Sequence, residues 1–67
     1  MSVARVTEIS STSKKSFKDA IEDGVERASK TLRNVRRAWI MDQEVVIDDG
    51  KIKEYRVKMK VTFVLDD

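Results

Sequence analysis

Two long runs of alternating character dominate the second half of the chain. The run Ile52 to Leu65 places Tyr55, Val57, Met59, Val61, Phe63 and Leu65 on one parity, and Glu54, Arg56, Lys58, Lys60 and Thr62 on the other. Period-two alternation of that length predicts a strand with one buried face. Arg37 to Ile47 precedes it and is joined to it by Asp48-Asp49-Gly50-Lys51, a strong hairpin signal because Gly takes positive φ without steric cost. A two-residue Asp49-Gly50 turn pairs Asp48 with Lys51. It sets Ala38, Ile40 and Val46 on the face of Val57, Met59, Val61 and Phe63, which reads as the core. Arg37, Trp39, Met41 and Gln43 then fall beside Arg56, Lys58 and Lys60 on the opposite face, half apolar and half cationic. A bulge at the turn would flip this parity and move Trp39 to the core face.

Upstream, Val3 to Ile9 reads as a short strand rich in β-branched residues, broken by the polar run Ser10-Ser11-Thr12-Ser13. A helix is predicted from about Lys14 to about Leu32, with Thr12 or Ser13 as N-cap. Phe17, Ala20, Ile21, Gly24, Val25, Ala28 and Leu32 recur at spacings of three and four and form its apolar stripe. Gly24 inside that stripe costs roughly 1 kcal/mol against Ala, which close approach to the sheet would offset. Asn34 suits a left-handed residue after the helix. The expected fold class is α+β, one domain over residues 1–67, ordered β-α-β-β. Its three-stranded antiparallel sheet partly wraps around one helix.

One helix covers one sheet face, so the other must meet solvent or another subunit. The length sharpens this: a chain of 67 residues buries only about 60% of its unfolded surface and usually needs a staple. Cys and His are both absent, which removes disulfides, thiolate zinc sites and His-based acid–base catalysis. Self-association is the remaining staple. No apolar run approaches the ~20 residues of a membrane span and no signal peptide is visible, so no membrane partner and a cytoplasmic location are expected. A net charge of +2 is too small to argue a nucleic-acid partner. With neither a nucleophile–base pair nor a phosphate-binding Gly loop, the chain is not expected to be an enzyme.

In order, spacing and total length, the chain resembles the dodecins. The match runs through Thr12-Ser13, Ser16-Phe17, Ala20-Ile21 to Arg27-Ala28, Asn34-Val35-Arg36, Asp42-Gln43, Gly50 and Tyr55 to Phe63. The resemblance implies a β-α-β-β subunit assembling with itself into a hollow homododecamer of twelve chains. Many members bind flavins (FMN, riboflavin or FAD) in pairs at subunit interfaces, storing them without catalysis. Flavin binders stack the ring on a Trp early in the second strand and hold its polar edge with a Gln in the third. Here those positions carry Arg37 and Arg56, and Trp39 lies two residues further on the same face. The opening Met1-Ser2-Val3, Val35-Arg36, the Gln43 region and Tyr55-Arg56 bring the chain closer to a calcium-binding branch of the family that lacks the stacking Trp.

The candidate ligand-binding residues are therefore Arg37, Trp39, Gln43, Arg56 and Lys58, and the candidate metal residues Asp42 and Glu44. Arg37 and Arg56 would form a cationic pocket for an anionic or planar ligand, since guanidinium forks onto phosphate or carboxylate and stacks on rings. The plainer reading is ion pairing between subunits, to acids such as Glu44 or Glu54. Trp39 would stack a ring or anchor an interface, where aromatics are enriched. Asp42, Gln43 and Glu44 would attract cations if repeated copies converged at a symmetry axis. The helix acids Asp19, Glu22, Asp23 and Glu26 read as a solvated stripe.

Overall fold

A computed structural model describes residues 3–66. Its elements are β1 (Ala4–Ser13), α1 (Phe17–Thr31), β2 (Val35–Asp48) and β3 (Lys51–Val64), forming a three-stranded antiparallel sheet in the order β1-β3-β2. The expected β-α-β-β architecture is the observed one. β1 is longer than its composition suggests. Ser10 to Ser13 continue the ladder, with Ser13 opposite Tyr55, because a hydroxyl side chain leaves the backbone groups free to pair.

Those hydroxyls also shift the helix start. Ser13 is the last residue of β1; its Oγ accepts from Lys15 N at 2.9 Å and donates to Asp19 Oδ2 at 2.6 Å. Its hydroxyl is thereby engaged with the Asp19 side chain rather than a first-turn amide, and the N-cap is Ser16, whose Oγ accepts from Asp19 N at 3.0 Å. The helix ends with Leu32 N donating to Ala28 O at 2.8 Å. Asn34 then adopts a left-handed φ of 61°, and its amide donates to Val64 O at 3.1 Å and to Asp66 Oδ1 at 2.8 Å.

The core lies between α1 and the sheet. Ala20, Gly24 and Ala28 are the buried helix residues, set against Val57, Met59 and Val61. An added Cβ at Gly24 would stand 2.9 Å from Met59 Cε and 3.1 Å from Ser11 Cβ. Gly24 is thus a point of close approach between helix and sheet. Phe17 meets Tyr55 edge-on at 5.1 Å between ring centroids, closing the N-terminal end of the helix.

The turn is the two-residue kind, with φ of 51° at Asp49 and 75° at Gly50, the positive pair of a type I′ hairpin. Asp48 pairs with Lys51 and Ile47 with Ile52, and Ala38 to Ile40 also keep the expected register. Between them the ladder is displaced by one residue, with Lys53, Met41 and Arg36 left unpaired at successive irregularities. The displacement corrects two assignments. Gln43 pairs with Val57 on the helix side, and Val46 pairs with Glu54 on the outer side rather than joining the core. Asp42 and Glu44 move the other way, onto the outer face opposite Lys58 and Arg56. A residue added to one strand inverts the parity of all that follows it until the next bulge.

The result is long and thin, 51 × 19 × 13 Å, with a Cα radius of gyration of 13.8 Å. A compact chain of this length would have about 11 Å. Among the described residues only Ala20, Ala28, Val57, Met59 and Val61 form the buried apolar core, while Val6, Trp39, Ile47 and Ile52 are more than half exposed. Among the described residues no helix is long and apolar enough to cross a membrane.

Candidate functional site

The sheet face turned away from α1 carries most of the residues singled out from the sequence. Directly opposed residues in an antiparallel pair point to the same side with Cβ atoms about 4.5–5.5 Å apart, so register alone builds the surface in rows. From the hairpin outward end to the base, the rows are Thr12–Arg56–Glu44, Ser10–Lys58–Asp42, Glu8–Lys60–Trp39 and Val6–Thr62–Arg37.

Two halves differ chemically. Toward the tip, Arg56 and Lys58 each face a carboxylate across the ladder, and Arg56 Nη2 also approaches Glu54 Oε1 at 3.8 Å. Ion pairing, expected between subunits for Arg56, is here formed within one chain. A depression of about 190 Å³ lies at this half, lined by Ser10, Asp42, Gln43, Glu44, Arg56, Val57 and Lys58. That volume is below the roughly 300 Å³ at which small-molecule pockets begin.

At the base half, Trp39 is 65% exposed and the Lys60 Nζ lies 5.6 Å from its ring centroid, within cation–π range. Arg37, exposed, stands two residues from Trp39 on the same strand face and opposite Thr62. The structure thus brings Arg37 and Trp39 together with Lys60, and groups Arg56 and Lys58 with Asp42 and Glu44 around a depression that Gln43, paired with Val57, also lines. Lys60 and Thr62 were the residues not singled out as site members. Their place on the polar parity of β3 was visible, but their pairing with Trp39 and Arg37 depends on the register.

Calcium takes six to eight oxygen ligands. Among the described residues no group of three or more Asp and Glu side chains is placed to hold a metal ion, and Asp42 and Glu44 each face a cation. For a flavin, the face offers a single indole, set two residues beyond the position where the flavin-binding pattern has its stacking Trp.

A second concavity, about 670 Å³, runs between α1 and the free edge of β1, lined by Thr7, Ile9, Ser11, Gly24, Ala28 and Leu32 among others. Small residues on both walls leave this groove. The juxtaposition of Gly24 and Ala28 with Ser11 and Thr7 was its only sequence signal.

A β-α-β-β subunit with a thin core, one bare sheet face and an open groove defines a class of small proteins built to be covered by something else. Comparison with known proteins identifies the class. The dodecin family model matches residues 3–66. The calcium dodecin of Mycobacterium tuberculosis is 33% identical over 63 residues, covering 94% of this chain and 89% of that protein. Among solved structures, the dodecin of Streptomyces davaonensis is 38% identical with a TM-score of 0.94, covering 98% of this chain and 97% of that one. The calcium-chelating calcium dodecin of M. tuberculosis is 34% identical with a TM-score of 0.83, covering 96% and 91% of the two chains. The chain belongs to the dodecin family.

Proposed function

We propose that this chain is the subunit of a non-catalytic homo-oligomer that binds and stores a small ligand where the bare sheet faces of neighbouring copies meet. The observation that carries this reading is the uncovered outer face, with Trp39 65% and Val6 58% exposed on a chain whose buried apolar core is five residues. A surface of that kind gains most by burial against another molecule. The implied assembly is the twelve-chain sphere of the family. Light scattering on the purified protein is expected to give about twelve times the 7.7 kDa chain mass; a monomer would overturn the reading. Flavin is the first ligand to test, and added FMN is expected to lose fluorescence as it loads. Unquenched FMN in an intact oligomer would reject flavin alone.

Calcium binding is the second reading, favoured by the 33% identity to the M. tuberculosis calcium dodecin. With no group of three carboxylates placed together among the described residues, Asp42 and Glu44 would contribute together with the same residues of neighbouring copies. Millimolar calcium should then raise the melting temperature by mass action. The same temperature with calcium and with EGTA would exclude it.

A further inference from the structure

We propose that Asp49, at the hairpin tip, is a site of spontaneous main-chain modification to isoaspartate, and that the fold spares the equivalent pair Asp23-Gly24. The site stands apart from the bare sheet face and does not depend on what binds there.

Both glycines of the chain follow an aspartate, at Asp23-Gly24 and at Asp49-Gly50. The same chemistry is open to each pair. The Gly amide nitrogen attacks the Asp Cγ and a bond forms between them. One carboxyl oxygen leaves as water, with the amide proton and one from solvent, closing a succinimide ring. Water then adds at one of the two ring carbonyls. Cleavage of the bond from nitrogen to Cγ restores aspartate. Cleavage of the bond from nitrogen to the α-carbonyl carbon leaves the main chain running through Cγ, which is isoaspartate. Water is the sole co-reactant, and Gly favours the attack because it has no Cβ to crowd the approaching side chain.

The fold treats the two pairs differently. Gly24 lies buried inside α1, where its amide belongs to the helix ladder. Met59 Cε and Ser11 Cβ crowd the place a Cβ would take, at 2.9 and 3.1 Å. Ring closure at Asp23 therefore needs the helix to open beside the core. Asp49 and Gly50 are both exposed. The ladder closes with Asp48 opposite Lys51, so the Gly50 amide lies outside it, and a Cβ at Gly50 would meet nothing within 4 Å. The turn holds Asp49 at a φ of 51°, a left-handed conformation that a residue with a Cβ adopts at a cost. Ring closure takes Asp49 out of that conformation, and opening a loop tip costs far less than opening a packed helix. The product adds one main-chain atom to a two-residue loop whose length sets the pairing. It thereby loosens the Asp48–Lys51 and Ile47–Ile52 rows.

The test is incubation of the full-length protein at physiological temperature and neutral pH. Isoaspartate is located by electron-transfer fragmentation of its peptides and counted by methylation with a purified isoaspartyl methyltransferase. It is expected to accumulate at Asp49 at least about tenfold faster than at Asp23, the ratio set by the difference in opening free energy. In guanidinium chloride, which removes the fold, the two rates should converge. Asp49→Glu, whose longer side chain would have to close a larger ring, should remove most of the methylation of the folded protein and leave the rate at Asp23 as it was. Equal rates at the two sites in the folded protein would overturn the proposal, as would no isoaspartate at Asp49 when the unfolded chain forms it at both. A gap that persists in the denaturant would also overturn it, by assigning the difference to flanking residues. So would methylation that survives Asp49→Glu.

Discussion

Along β3 the two faces of the sheet can be compared residue by residue. Val57, Met59 and Val61 lie at 1%, 0% and 0% exposure beneath α1, whereas Arg56 and Lys58, one position away, stand in solvent. The same strand is sealed on one side and bare on the other because one helix can cover one side. The difference separates two kinds of sequence constraint. On the covered face, volume decides: Gly24, Ala20 and Ala28 are small so that Val57, Met59 and Val61 can fit. On the bare face, charge and register decide.

The comparison breaks most visibly at Met59, the largest fully buried side chain. Met59→Ala should cost about 2–5 kcal/mol, a large part of what so short a chain has to lose. Melting followed by circular dichroism should show a fall of more than about 10 °C or no folded state. A fall of only a few degrees would mean that the core is held from outside the chain. Gly24→Ala comes next. Helix propensity would gain about 1 kcal/mol, but the new methyl would meet Met59 Cε and Ser11 Cβ at 2.9 and 3.1 Å. Overpacking costs about 1–3 kcal/mol, so the net is destabilising; a higher melting temperature would show that the helix can back away from the sheet. The smallest effect belongs to the bare face. Lys58→Gln, exposed, should change stability by less than about 0.5 kcal/mol. A larger loss would show that the Lys58 row is an interface.

Where patterns were local, the fold was legible. The type I′ turn followed from Asp49-Gly50, the buried parity of β3 from strict alternation, and the helix stripe from its spacing of three and four. Capping was less so, since Thr12, Ser13 and Ser16 are all chemically able caps. The choice of Ser16 depended on Ser13 being the end of a strand and bonded to Asp19. The candidate site was only half legible. Arg37 and Trp39 lie as expected, but between the unpaired Lys53 and Met41 the displaced ladder puts Asp42 and Glu44 on the outer face and Gln43 on the inner. What had read as a half apolar, half cationic face therefore also carries Asp42 and Glu44 toward its tip.

By itself, the sequence determined the element order, the hairpin and the identity of the buried side of β3, because each rests on contacts between residues close in the chain or on a strict period. Only the tertiary structure decided where the strands slip past one another. Bulges answer to the coiling of the whole sheet around the helix, which no local pattern encodes, and a slip of one residue inverts a face. That slip sets Asp42 opposite Lys58 and Glu44 opposite Arg56, while Trp39 stays opposite Lys60.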